Sequence, residues 1–497
     1  MLTPEYLDKL PDRVVELYSE LEIRILEDMS RRIVKMEQFT DTALWQLWKL
    51  EQIGAEREFI LSQLQRMTGK TQGEINALLE DASEETLLYD DRIYRAADLN
   101  PVAVAKSKPL QQVIAAGLKK TMRLFENLTG TTANTATRQF ENTLDNAYMD
   151  VVSGAFSYQE AIRRAVKMLA GSGIDAIQYP TGHVDKMDVA VRRAVLTGVN
   201  QTAAQMQTAR MEEMGCDLVE TTAHAGARPS HAEWQGKVFS RSGTSKKYPP
   251  FSQTGYGTGP GLCGWNCRHS FFPYFEGLSK KTYNHKELTE LNRKHLSYNG
   301  DLLTDYEASQ IQRSMERNIR RWKREYMALS ATGLDTSEAS ARLASWRIKQ
   351  QDFLEQTGLH ADHFRSQVEG FGRKQAAKAR TEFQKTLLPQ YRKAIIPKEK
   401  FTKYALNLEG KGKDKAIAFD KALGYNMGNA DELIANIHKN LSRFPAKMRP
   451  ETQYGQPFEV SMKLTGPNGK TAKVKTGWMV DKGKAEPRLV TAFVDKE

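Results

Sequence analysis

The residues best suited to chemistry crowd into one stretch in the middle of the chain. It runs from His224 and His231 through Trp234 and Tyr248 to Cys263-Gly-Trp-Asn-Cys267-Arg-His269, and it holds two of the three cysteines and three of the nine histidines. Thiolates and imidazoles are ligands that zinc takes in a tetrahedral shell. Cys263, Cys267 and His269, completed by His231 or His224, therefore form a candidate zinc site, and no other cofactor is suggested. The spacing is Cys-x3-Cys followed by Cys-x-His, unlike the paired Cys-x2-Cys of common structural zinc sites. The competing reading is a glycine-rich turn feeding a strand, its cysteines packed as small apolar groups. A Cys/His nucleophile pair would need a third residue to orient the base. None can be picked out, so no catalytic residue is assigned. His224 and His231 stand seven apart with Gly226 and Pro229 between them, which excludes a helical His-x3-His pair and favours a loop. Gly255-Tyr-Gly-Thr-Gly259 does not lie between a strand and a helix, so it reads as loop rather than a phosphate cradle.

The flanking elements are mostly helical. Val14, Leu17, Leu21, Ile25, Met29, Ile33 and Met36 recur at helical spacing over 12–36. A second helix spans 41–67, and Thr71-Gln-Gly-Glu74 reads as a capping box that opens a third. Ser157-Tyr-Gln-Glu160 opens another helix, which Gly171-Ser-Gly173 stops. A long helix over 184–214 leads to a short strand at 218–223. Strand signals at both ends of the special block predict that Cys263–His269 pairs with Leu218–Thr222 in a compact α+β unit.

Helix returns over 304–330 and 338–386. On the first of these, Arg313, Arg317, Arg320, Arg321 and Arg324 share one side. That side reads either as a solvated face or as a stripe contacting nucleic-acid phosphates. The last segment changes period. Alternation at Phe458–Leu464 and Val474–Val480, a turn at Gly466-Pro-Asn-Gly469 and a third strand at Leu489–Val494 describe an antiparallel meander behind two short helices. The fold class is thus mainly α with α+β parts. Its segments are a helical region over 1–175, a core over 176–300, long basic helices over 301–390 and a small basic α+β domain over 394–497.

With 497 residues and a net charge of +11, the chain exceeds one typical domain and suits a polyanionic neighbour or a solubilising surface. Residues 393–497 carry 20 Lys and Arg against 12 Asp and Glu, so most of the excess sits there. Three cysteines do not make a disulfide framework. No apolar run approaches the ~20 residues of a membrane span, and the first residues lack the pattern of a signal peptide. Synthesis in the cytoplasm without export by that route is expected.

Together, His224, Arg228-Pro-Ser-His231, Trp234-Gln-Gly, Tyr248-Pro-Pro and Cys263-Gly-Trp-Asn-Cys267-Arg-His269 resemble the core signature of tailed-phage minor capsid proteins of the second family. That family is related to the Mu F-like head morphogenesis proteins. Arg192–Ala204 and Thr357–Arg365 fit the same pattern, and the resemblance covers roughly residues 1–385. The related proteins commonly end the motif in Cys-Arg-Cys, where this chain has His269. The resemblance implies a structural virion component, not an enzyme, present in few copies near the portal. Its partners would be portal and major capsid proteins and, without sequence preference, DNA. It would assist head assembly and DNA packaging or ejection.

Residues 395–494, with Lys400–Asn407, Thr452-Gln-Tyr-Gly455 and Thr476-Gly-Trp-Met-Val480, resemble small C-terminal modules of bacterial polymorphic toxins. Two alternatives follow. One is a virion-delivered effector acting through 394–497; the other is a host nucleic-acid-binding protein.

Overall fold

The structure, a computed structural model, describes residues 2–36, 39, 41–179 and 181–495. Long helices dominate. Helix α1 (Asp12–Val34) buries the seam formed by Val14, Tyr18, Leu21, Ile25, Met29 and Ile33. Helix α2 (Thr42–Ala96) is about 80 Å long at the usual rise per residue. Asp41 caps it by accepting from the Ala43 and Leu44 backbone N–H groups. Helices α3 (Lys108–Val152), α4 (Tyr158–Ser172) and α5 (Met187–Glu213) pack against these two. Helices α6 (Asp305–Ala331), α7 (Ser337–Thr357) and α8 (Arg373–Lys385) follow the central block. One apolar core runs through the assembly from Leu2 to Ala379.

Three helix boundaries differ from the sequence reading. No new helix opens at Thr71, because its hydroxyl turns back to the Met67 carbonyl at 2.9 Å and is satisfied inside a continuing helix. Helix α5 starts at Met187 rather than 184, since Val184–Lys186 pairs with Asp175–Gln178 as a short ribbon. The expected helix over 338–386 is broken, because Gly358 takes the left-handed conformation that closes α7. The connection from there to α8 carries Phe364 and Arg365 back toward α1 and α6.

Helices α3 and α5 cross at two Gly–Thr contacts. A Cβ on Gly198 would lie 2.5 Å from Thr121 Oγ1, and one on Gly117 would lie 2.3 Å from Thr202 Oγ1. Gly198, inside a continuous helix, lets the neighbouring backbone approach. That approach fixes the polar face of α5 which holds the central block.

The block contains a three-stranded antiparallel sheet in the order β2-β1-β3, formed by β1 (Leu218–Thr221), β2 (Val238–Ser240) and β3 (Phe271–Pro273). A strand after the cysteine motif does pair with β1, Glu220 opposite Phe272, but it begins only at Phe271. Cys263–His269 itself is not a strand. Cys263 and Asn266 have φ of 57° and 52°, and a Cβ on Gly261 would lie 2.1 Å from the Gly255 carbonyl oxygen. The two glycine-rich runs fold onto each other, which extended backbone would prevent.

The C-terminal unit has its own core, from Leu388 to Ala492. Its sheet is antiparallel in the order β7-β6-β5-β4, with β4 (Ala446–Met448), β5 (Gly455–Thr465), β6 (Thr471–Asp481) and β7 (Arg488–Val494). The expected turn at Gly466–Gly469 joins β5 to β6 in unbroken register from Thr465↔Thr471 to Gly455↔Asp481. Helices α9 (Lys413–Leu423) and α10 (Ala430–Asn440) cover the sheet with Phe419, Leu423, Leu433 and Ile437.

Several carboxyls are buried in the helical body. Burial raises Glu56 to about 8, and raises Asp90, Glu316 and Glu325 each to about 7. A raised carboxyl binds its proton more tightly when folded, so stability falls as pH climbs from the unfolded pKa toward the folded one. The buried histidines act in the opposite sense, but only below about pH 6.5. Thermal unfolding should therefore show a lower midpoint at pH 8.5 than at pH 6.5. Glu56→Gln should flatten part of that slope, by up to about 2 kcal/mol. A midpoint that rises over this interval would contradict the assignment.

Candidate functional site

The central motif is held from beneath by α5. Asn200 Nδ2 donates to the carbonyls of Cys267 and His269, at 3.1 and 3.3 Å. Two turns further on, Gln207 accepts from the Ser270 hydroxyl at 3.1 Å and donates to Asp90 at 2.9 Å. Both amides are fully buried. From the other side, Thr222 Oγ1 accepts from the Ser270 N–H at 2.9 Å.

This frame brings three of the expected ligands together. The donor atoms of His231, Cys267 and His269 all lie within 4.8 Å of one another, and all three side chains are buried. Cys267 Sγ is 3.9 Å from His231 Nδ1 and 3.6 Å from His269 Nδ1. Two residues one apart can converge because Asn266, in the left-handed region, bends the chain just before Cys267. Cys263 does not join them; its thiol faces the His269 carbonyl at 3.6 Å. His224 stands beside the group, its ring centroid 4.3 Å from that of His269. Cys216 lies elsewhere in the same core, and all three thiols are unbridged. Trp234 and Gln235 complete the surroundings: Trp234 packs edge-on to His269 at 4.8 Å, and Gln235 Oε1 meets His269 Nε2 at 3.1 Å.

Burial sets the protonation of the group. It pushes His224 down to about 4, and lowers His231 as well. His269 falls well below the usual range through burial and then the nearby His224, His231, Arg268 and Arg228. The imidazoles are therefore neutral near pH 7. Burial also raises Cys263 and Cys267.

The group forms one wall of a cleft of about 460 Å3 between the block, α1, α5 and α6. Arginines from four parts of the chain line it, among them Arg192, Arg228, Arg268, Arg313 and Arg365. Asp8 partly balances them, 2.7 Å from Arg365 and 3.6 Å from Arg268. Arg313 makes no ion pair with any described residue. Burial, then the like charges of Arg365 and Arg268, lower it to about 10.

The arginine side of α6 is neither a solvated face nor one continuous stripe. Arg313 and Arg317 line the cleft, and Arg321 is exposed. Arg320, at the cleft wall, and Arg324 are buried. Each lies 3.7 Å from the buried Glu22 carboxylate, and Arg320 also reaches Asp188 at 2.6 Å. Glu22, in the first helix, is the partner that helical periodicity on α6 alone does not reveal. Sequence reasoning also missed Asn200, Gln207 and Gln235. Asn200 and Gln207 stand i, i+7 on one face of an Ala-rich helix, a signal of a buried polar row.

No helix among the described residues is long and apolar enough to cross a membrane. Comparison with known proteins agrees with the motif. Residues 387–496 match a domain of unknown function (DUF6883), a description that assigns no activity. A structural protein of Lactococcus phage LL-H is 23% identical over 303 residues, covering 58% of this chain and 78% of the relative. A structural protein of Lactococcus phage mv4 is 33% identical over 116 residues, covering 22% of this chain and 85% of the relative. No solved structure matches. Residues 2–355 match the family described as phage minor capsid protein 2. The match takes in the helical body and the His/Cys block with its α5 support, and on that ground the chain belongs to the phage minor capsid protein 2 family, the minor structural proteins of a phage particle.

Proposed function

We propose that the protein sits in the virion near the portal vertex and assists head assembly and DNA packaging or ejection. Its partners on this reading are the portal and major capsid proteins. The observation that supports an assembly role is an apolar surface its own core leaves uncovered. Leu44, Leu47 and Leu50 on α2 are 59%, 66% and 62% exposed, and Met149 and Val152 stand at the same end of the α2–α3 pair. Scattered exposed leucines are ordinary, but three at i, i+3, i+6 on one helix suit a helix–helix contact with another chain. Leu44→Asp, Leu47→Asp and Leu50→Asp combined should leave folding intact, since all three face solvent. The variant should be made in normal amount yet be missing from purified particles of a phage lacking the natural copy. Normal incorporation would remove this surface from the account.

Non-specific DNA contact fits the same placement. The excess of Lys and Arg over Asp and Glu in the C-terminal unit, and the cleft arginines Arg313 and Arg317, which pair with no carboxylate among the described residues, supply positive charge. Binding of the full chain to duplex DNA should weaken steeply with salt as counterion release is suppressed. Salt-independent binding, or none at low salt, would reject it. The exposed His438 on α10 has no acidic partner among the described residues, so it offers no histidine–carboxylate pair for an effector reading.

A further inference from the structure

The hydrogen-bond partners of the buried histidines fix which nitrogens carry lone pairs. His231 Nε2 lies 2.8 Å from the Pro260 carbonyl oxygen, which can only accept, so that nitrogen holds the proton. His269 Nε2 lies 3.1 Å from Gln235 Oε1. The amide cannot be reversed there, because the same oxygen also accepts the His224 backbone N–H at 3.2 Å. Both Nδ1 atoms are therefore bare acceptors, and both face the one thiol of Cys267. A thiol has one proton, so one imidazole lone pair is left buried without a donor. Leaving a buried acceptor unpaired is costly. His224 repeats the pattern: its Nδ1 meets the Ala225 carbonyl at 2.8 Å, and its buried Nε2 has no partner among the described residues.

The sulfur–nitrogen distances fit a metal shell. Bond lengths of about 2.3 Å to sulfur and about 2.05 Å to nitrogen put tetrahedral ligands about 3.6 Å apart for an S,N pair. The observed separations are 3.6 and 3.9 Å. The outer nitrogens donate to a carbonyl and an amide oxygen, as metal-bound histidines do. The Cys267 sulfur accepts the His269 backbone N–H at 3.4 Å, which suits a thiolate.

We propose that His231 Nδ1, Cys267 Sγ and His269 Nδ1 bind one zinc-class divalent cation, with the fourth position open to the arginine cleft. The Cys267 proton leaves to solvent as the cation binds. One thiolate leaves the ion with a single net positive charge beside Arg228 and Arg268. Those two are held by the Trp265 carbonyl at 2.6 Å and by Asp8, and an anion in the fourth position offsets the remainder. Cys263, with its thiol on a carbonyl, is not a ligand. This inference stands apart from the place of the protein in the particle.

The test is metal content of the full-length protein, equilibrated with zinc and then passed through a desalting column. About one zinc per chain is expected in the natural protein and in Cys216→Ser and Cys263→Ser. Cys267→Ser and the double variant His231→Ala/His269→Ala should retain less than about a tenth of that. Cobalt(II) added to metal-free natural protein should give a thiolate-to-metal charge-transfer band, which reads out the site even where the ligand variants fail to fold. Absence of both retained zinc and the cobalt band in the natural protein would overturn the proposal. So would zinc retention unchanged in the folded Cys267→Ser variant.

Discussion

Glu22→Ala should cost about 3–5 kcal/mol of stability in the helical body, because it strands the buried Arg324 guanidinium and takes from Arg320 one of its two carboxylates. Glu22 is 1% exposed and joins four elements. Its carboxylate faces Arg320 and Arg324 of α6 and accepts the Ile174 backbone N–H at 3.1 Å, just past the end of α4. Arg320 continues to Asp188 at the start of α5. Burial works against the charged form of Asp188, but Arg320 and Arg324 outweigh it and hold its carboxyl below the usual range. Urea unfolding of Glu22→Ala, followed by helical circular dichroism, should show the loss, and added salt should change it little because the pair is shielded from water. Glu22→Met combined with Arg324→Met should recover part of it, since apolar replacement of a buried pair is often neutral. A loss below about 1 kcal/mol would show instead that the pair behaves like a solvated surface bridge.

Trp478→Ala should cost about 3–5 kcal/mol in the C-terminal unit and leave the helical body folded. Trp478 is 1% exposed, and on β6 it stands opposite Phe458 of β5 and Leu489 of β7. Its indole N–H donates to Thr476 Oγ1 at 2.8 Å, so the substitution removes a large apolar volume and a satisfied donor together. A unit of roughly a hundred residues has only about 5–15 kcal/mol to lose. In the full chain the transition of the C-terminal unit should shift or vanish while that of the helical body persists. A fragment starting at Leu387, to include the buried Leu388, should melt cooperatively with Trp478 and fail to do so without it. Equal loss in both transitions would mean that the two cores fold as one unit.

The C-terminal unit was the most legible part of the chain. Period-two alternation at Phe458–Leu464 and Val474–Val480, joined by Pro467-Asn-Gly469, marks both strands and the turn between them, and the structure pairs them antiparallel across that turn. The helical body was legible in type but not in length. A capping signature at Thr71 reads as a start, yet a threonine can equally satisfy its hydroxyl within a helix, and only the packing of α2 on α1 decides. The central block was legible as a His- and Cys-rich cluster and misread as a strand. Its glycines read as a loop and as a turn feeding a strand, whereas the two runs pack on each other and turn Cys267 and His269 inward. The fate of the arginine face was out of reach, because the partner that buries Arg320 and Arg324 lies about 300 residues earlier, in α1. The amides of Asn200 and Gln207 were likewise legible as polar residues on a helix, but not as the support of the motif.

The most direct test of the central claim is quantitative peptide mass spectrometry of purified phage particles, with the major capsid protein as internal standard. Peptides from the whole chain, Leu2 to the C-terminal sheet, are expected at a few copies per particle, co-purifying with DNA-filled heads through a density gradient. Peptides found in the lysate but absent from purified particles, or present at the level of the major capsid protein, would contradict it.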